Sequence, residues 1–309
     1  QFLALRVGKK SKLLLGLSGG ADSMALLHLL LECRKNLDFD LHIAHVNHNW
    51  RKESTQEAET LNLVASHLKL PFHLHSDIPK STSDLENHAR QIRLSFFTKL
   101  HRQFTFQAVL LAHHRGDQAE TVFKRVAEGS GISGMRGLQM ESTFGEINLW
   151  RPLLRVSKKE IYRFLKKKKV HFFEDPTNQD LKFLRARMRT KLFPYLEEVF
   201  GKSMESNYAK LGSTFAEITD YFAQKTTKMK SLLQIGPLGG YFDLRNDIHQ
   251  IELKFFIKEE LEISHDALEV LTELVKNKKS SRFVMSKTSK LMVCYPYLFI
   301  FNTKINTFF

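Results

Sequence analysis

The residues best equipped for chemistry lie together near the start of the chain, at Ser18-Gly19-Gly20-Ala21-Asp22-Ser23. Two hydroxyls and a carboxylate surround a pair of glycines, which can bring backbone close to a ligand. An apolar run from Leu13 to Leu15 precedes the segment, and Leu26, Leu27, Leu30 and Leu31 follow on one helical face. This pattern predicts a buried parallel strand, a tight turn and an amphipathic helix. Ser23 or Asp22 is expected to cap that helix, whose first N–H groups then point at the turn. Such a turn binds anions, phosphate above all. It is neither a Walker loop nor a dinucleotide fingerprint, because no Gly-Lys-Ser/Thr closes it and no third glycine follows. An ordinary glycine-rich turn is the plainer alternative.

Other clusters could also act. His45-Val46-Asn47-His48 ends a second apolar run, and His113-His114 stands just before Asp117 and Glu120. Arg90 and Arg93 fall nearly on one face of a predicted helix from Asp84 to Arg102. Arg185, Arg187, Arg189 and Lys191 form a basic stripe behind the turn Glu174-Asp175-Pro176-Thr177-Asn178. Each has a plainer reading. The histidines could be buried strand ends, and the arginines could pair internally. The two carboxylates could simply favour a helix N-terminus, at about 0.3–1 kcal/mol each.

Positioning these residues requires a scaffold. Further strands are predicted at Leu41–Val46, Pro71–His75 and Ala108–Ala112, with helices between them. Ser54 with Glu57, and Ser157 with Glu160, have capping-box spacing. Strands alternating with helices imply right-handed crossovers and an α/β, doubly wound parallel sheet. Ligands bind beyond the carboxyl ends of such strands, where the polar clusters fall. Gly129 to Gly137 is expected to be a glycine-rich flap. Near Gly201 the pattern changes to helices, a break at Gly236–Gly240, and three short strands at Arg282–Met285, Leu291–Cys294 and Leu298–Phe301. Residues 1–200 are therefore expected to form the catalytic domain, and 201–309 a smaller α+β domain.

Bulk composition narrows the partners. A net charge of +14 over 309 residues points to a polyanion, nucleic acid first, with a solvated basic surface as the alternative. No stretch of about twenty apolar residues occurs, so no membrane partner is expected. Cys33 and Cys294 are far apart, which argues against a disulfide framework or a cysteine metal site. With no signal-peptide pattern, a reducing cytoplasm is the expected compartment.

The strand–SGGxDS–helix arrangement resembles the pyrophosphate-binding loop of the N-type ATP pyrophosphatases, the PP-loop superfamily. Four further stretches follow in order: His45-Val46-Asn47-His48; Ala112-His113-His114 with Asp117-Gln118-Ala119-Glu120-Thr121; Arg151-Pro152-Leu153-Leu154; and Glu174-Asp175-Pro176-Thr177-Asn178. Together they resemble the bacterial tRNA(Ile)-lysidine synthetases over residues 12–200. The resemblance implies an adenine nucleotide alpha hydrolase-like fold and a ligase acting in two steps. ATP adenylates the wobble cytidine of tRNA(Ile) with a CAU anticodon; the ε-amine of free L-lysine then displaces AMP. It also implies that Ser18, Gly19, Gly20, Ala21, Asp22 and Ser23 bind ATP, with Mg²⁺ at Asp22. Arg93, Asp117 and Glu120 would bind lysine and join Asp22 as the catalytic set. The stripe Arg185, Arg187 and Arg189 is the candidate tRNA contact, the second domain would bind tRNA as well, and a homodimer is compatible.

Three departures from the usual pattern stand out. Gly116 replaces one of two acidic residues, Asn49-Trp50 replaces Gly-Leu, and Ala186 replaces an asparagine. Two other functions compete. A tRNA thiolase of the same superfamily would need a reactive cysteine or an iron–sulfur cluster, and a non-catalytic nucleotide-gated RNA-binding protein would not need Asp22, Asp117 and Glu120.

Overall fold

A computed structural model of the chain describes residues 2–50, 53–77, 85–174, 180–236, 239–245, 248–261, 263–279, 283–285 and 289–302. It divides into two units, Gln1–Phe215 and Ala216–Phe309, with the boundary inside a 29-residue helix, Met204–Leu232.

In the first unit, β1 (Ser11–Gly16), β2 (Phe39–Asn47), β3 (Phe72–Ser76) and β4 (Ala108–Leu110) pair in parallel. The sheet order is β3-β2-β1-β4-β6-β5, where β5 is Glu141–Phe144 and β6 is Ile147–Trp150. Leu13, Leu14 and Leu15 are fully buried because β1 is central and covered on both faces. Helix α1 (Ala21–Cys33) packs its Leu26, Leu27 and Leu30 into one core, and α3 (Leu85–Phe104) supplies Leu94, Phe97 and Leu100 to the other. This is the expected doubly wound α/β sheet.

Three local features differ from the sequence reading. The hairpin β5–β6 was not expected: each strand is four residues long, too short to show a period. Helix α2 (Ser54–His67) starts one residue before the predicted cap could act. Its N-cap is Glu53, and no side chain caps it. The Gly129–Gly137 stretch holds a single helical turn, α5 (Ile132–Met135), rather than only a loop.

The second unit is an α+β layer. Its antiparallel sheet has the order β7-β8-β11-β10-β9, from β7 (Gln234–Gly236), β8 (Gly239–Asp243), β9 (Phe283–Met285), β10 (Ser289–Cys294) and β11 (Tyr297–Asn302). Helices α8 (Gln250–Leu261) and α9 (His265–Lys276) bury Leu253, Phe256, Leu268 and Leu271 together with Phe242, Leu291 and Leu298 of the sheet. The predicted break at Gly236–Gly240 is in fact the β7–β8 hairpin.

Candidate active site

The glycine-rich turn leaves β1 at the carboxyl end of the sheet. Gly19 takes φ 84°, a left-handed conformation that favours glycine. A Cβ there would also lie 2.6 Å from the Phe173 ring. Phe173 N–H donates to the Gly19 carbonyl at 2.9 Å, so a distant segment pins the turn. Ser23 Oγ donates to the Gly20 carbonyl (3.0 Å) and accepts from Ser18 N–H (3.2 Å). The expected cap is therefore corrected: Gly20 is the N-cap of α1, and neither Ser23 nor Asp22 caps it. Ser23 is engaged with the loop itself, and Asp22 is engaged elsewhere.

Asp22 is held by Lys158, whose Nζ lies 2.6 Å from each carboxylate oxygen. Lys158 opens helix α6 (Lys158–Lys168), and the predicted capping box fixes that end. Ser157 Oγ accepts from Glu160 N–H (3.2 Å), and Glu160 Oε2 accepts from Ser157 N–H (2.8 Å). Sequence reasoning missed Lys158. The cap was readable, but a contact 136 residues away leaves no local trace.

Helix α4 (Arg115–Ala127) brings the other two carboxylates. Asp117 Oδ2 accepts from His114 N–H at 2.8 Å, closing a capping box in which His114 Nδ1 accepts from Gly116 N–H at 2.9 Å. That bond assigns the His114 proton to Nε2. Nε2 lies 3.9 Å from Asp22 and 3.7 Å from Asp117, so one imidazole joins the glycine-rich turn to the acidic helix. A Cβ on residue 116 would come within 2.7 Å of this ring, which gives Gly116 a physical reason. His113 is neutral, its pKa pushed down to about 4 by burial. Burial opposes ionisation of Asp117 too, but His114, His113 and the backbone hydrogen bond outweigh it and hold its pKa below the ordinary value.

Glu120 is 3 % exposed. Burial raises its pKa, against the pull of Arg189, whose Nε donates to Oε1 at 2.8 Å. Oε2 is buried without a hydrogen-bond partner, with Arg185 4.0 Å away. Arg185 also stands 3.7 Å from Asp117. Arg185, in α7 (Leu184–Arg187), and Arg189, four residues on in the π-helical stretch Met188–Leu192, both meet these carboxylates. Arg187 points away, donating to the Leu181 and Lys182 carbonyls.

Beside the loop lies a cavity lined by Gly16, Ser18, the His45–Trp50 strand end, Leu94, Phe97 and Arg93. His45 is buried and bonded to the Leu17 carbonyl at 2.8 Å, the plainer of its two readings. Arg93 remains open to solvent. Its pKa is nevertheless lowered by the surrounding protein and by Arg90 and Arg185, since its guanidinium sits in a positive cleft. The turn residues Asp175-Pro176-Thr177-Asn178 lie outside the described residues. Cys33 ends α1, and Cys294 belongs to the second unit. Cys33 thus stands at the opposite end of α1 from the glycine-rich turn.

Residues 2–196 match the model of the PP-loop domain family. The tRNA(Ile)-lysidine synthase of Chlamydia muridarum is 34 % identical over 294 residues, 92 % of this chain and 90 % of that protein. The chain belongs to the tRNA(Ile)-lysidine synthase family. The Protochlamydia amoebophila synthase is 35 % identical over 94 % of this chain, which spans 66 % of the length of that relative. Among solved structures, the U34-tRNA thiolase NcsA from Methanococcus maripaludis is similar in fold, with a TM-score of 0.57, 15 % identity, and coverage of 69 % of this chain and 74 % of its own. In this tRNA(Ile)-lysidine synthase family member, Gly116 lies under His114 and Trp50 at the cavity rim.

Proposed function

We propose that this chain is a lysidine-forming tRNA ligase, consuming ATP and L-lysine to modify the wobble cytidine of tRNA(Ile) with a CAU anticodon. In the first step the cytosine C2 oxygen attacks the α-phosphate and pyrophosphate leaves. In the second, the lysine ε-nitrogen attacks C2, the C2–O bond breaks, and AMP departs.

The observation that carries this reading is the convergence at one sheet end. A phosphate-sized turn with Asp22, and an acidic pair one helical turn apart, are bridged by a single imidazole, His114. Ser18–Ser23 would bind the triphosphate through backbone N–H groups and hydroxyls. Asp22 suits Mg²⁺. Among the described residues no group of three or more His, Cys, Asp or Glu could hold a metal alone, and Mg²⁺ commonly takes one carboxylate plus substrate phosphates. Such an ion would supply charge neutralisation at the phosphates. Lys158 would move from Asp22 to the phosphates as they arrive. Asp117 and Glu120 would take the lysine ammonium, which would satisfy the unpartnered Oε2 of Glu120. The ε-ammonium must lose a proton before it attacks, and the raised pKa of Glu120 suits it to accept one. Arg93 would face the substrate carboxylate, and Arg187 with the second unit would contact the tRNA backbone. The protein would act in the cytoplasm; a homodimer is not required by this site.

Pyrophosphate release tests the order of events. It should need ATP and tRNA and proceed without lysine to about one equivalent, then turn over on lysine addition. Release that ignores tRNA would contradict the assignment.

A further inference from the structure

One wall of the cavity beside the glycine-rich turn is built from the end of β2 and the residues that follow it. At the end of β2, Asn47 Oδ1 accepts from Asn49 N–H (2.9 Å), Asn49 takes φ 50°, and its Nδ2 donates to the Asp77 carbonyl (3.2 Å). Asparagine is among the residues best able to hold a left-handed conformation, so this turn is built rather than accidental. It folds Trp50 back over His48, with ring centroids 5.0 Å apart and planes 23° from parallel. Burial and the nearby Arg93 keep His48 neutral, with a pKa of about 4. The indole is backed by an uncharged ring and is still 40 % exposed. Both rings line the cavity whose floor, Gly16–Ser18, leads straight into the phosphate turn.

A nucleotide with its phosphates on Ser18–Ser23 has its base within reach of this cavity. Flat indole faces stack on bases with little regard to sequence. We propose that Trp50 is the stacking wall for the adenine of ATP, an affinity contact in this chain. It rests on the proposed use of ATP at the glycine-rich turn. An unpaired RNA base is the other ring that could reach the indole; the continuity of cavity floor and phosphate turn favours the nucleotide.

The test uses the full chain, which has two tryptophans, one of them the buried Trp150. ATP should quench the indole fluorescence, and Trp50→Phe should remove that signal while retaining most ATP affinity. Trp50→Leu should weaken ATP binding about tenfold, in line with stacking energies for one base. Binding of inorganic tripolyphosphate, which carries phosphates and no base, should be unchanged in both variants; a general disturbance of the loop would weaken it as well. Unchanged ATP affinity in Trp50→Leu would overturn the proposal while leaving ATP use intact. Quenching by an anticodon stem-loop and not by ATP would also overturn it, assigning the wall to RNA. A wild-type chain that binds no ATP would remove this proposal and the functional reading together.

Discussion

In the proposed reaction Glu120 has two tasks, holding the lysine ammonium and taking its proton. Its Oε1 is neutralised by Arg189, while Oε2 is buried with no hydrogen bond, a state that costs free energy unless a ligand completes it. Glu120→Gln keeps the shape and removes the charge. It should leave adenylation near normal, raise the apparent KM for lysine, and slow the second step by about 10²–10⁴, the usual range for losing a general base. Single-turnover assays should then trap adenylated tRNA. If instead ATP use falls and lysine dependence is unchanged, Glu120 serves the nucleotide site.

Among the elements, α1, α4, α6 and the α7–π segment meet at the carboxylates Asp22, Asp117 and Glu120, and what the sequence revealed of each differs. The strand–turn–helix around Ser18–Ser23 and the Ser157–Glu160 cap were legible because every determinant lies within a few residues. The Ser54–Glu57 spacing looked the same, yet α2 begins without a side-chain cap. The pairs Lys158–Asp22 and Arg189–Glu120 join residues 136 and 69 apart, so only the fold reveals them. Arg185 and Arg189 lie four residues apart, share a face and meet the carboxylates, while Arg187 between them bonds the Leu181 and Lys182 carbonyls. Arg189→Ala would strand a buried carboxylate. It should destabilise the first unit by about 1–3 kcal/mol, less than for a fully buried pair, because the arginine side chain is 42 % exposed. Thermal unfolding checks this. Arg187→Ala should leave ATP affinity alone and make the slope of log tRNA affinity against log salt shallower by about one. An unchanged slope with a lower Tm would make Arg187 a brace for the Leu181–Lys182 turn.

At the scale of the whole molecule, acid should loosen the fold. Burial lowers the pKa values of His28, His42, His45, His48, His73 and His113, the fourth and sixth to about 4 from 6.5. Between those values the unfolded chain binds more protons than the folded one, so the stability is complete above pH 6.5 and is lost as pH falls toward 4. Glu120, whose pKa is raised, works in the opposite sense from its ordinary value upward, one carboxylate against six imidazoles. Tm should drop from pH 7.5 to pH 5; a flat profile would mean the histidines are solvated. The net charge of +14 should also make tRNA association steeply salt-dependent.

In the proposed reaction the phosphate turn and the acidic pair act in succession on one nucleoside. Mass spectrometry of the wobble nucleoside, after incubating the chain with tRNA(Ile) of CAU anticodon, ATP, Mg²⁺ and isotopically labelled lysine, tests it most directly. Cytidine should be converted to a lysine adduct carrying the label, with no conversion by Asp22→Asn although that variant folds and binds tRNA. Unmodified cytidine with the wild-type chain, or an unimpaired Asp22→Asn, would contradict it.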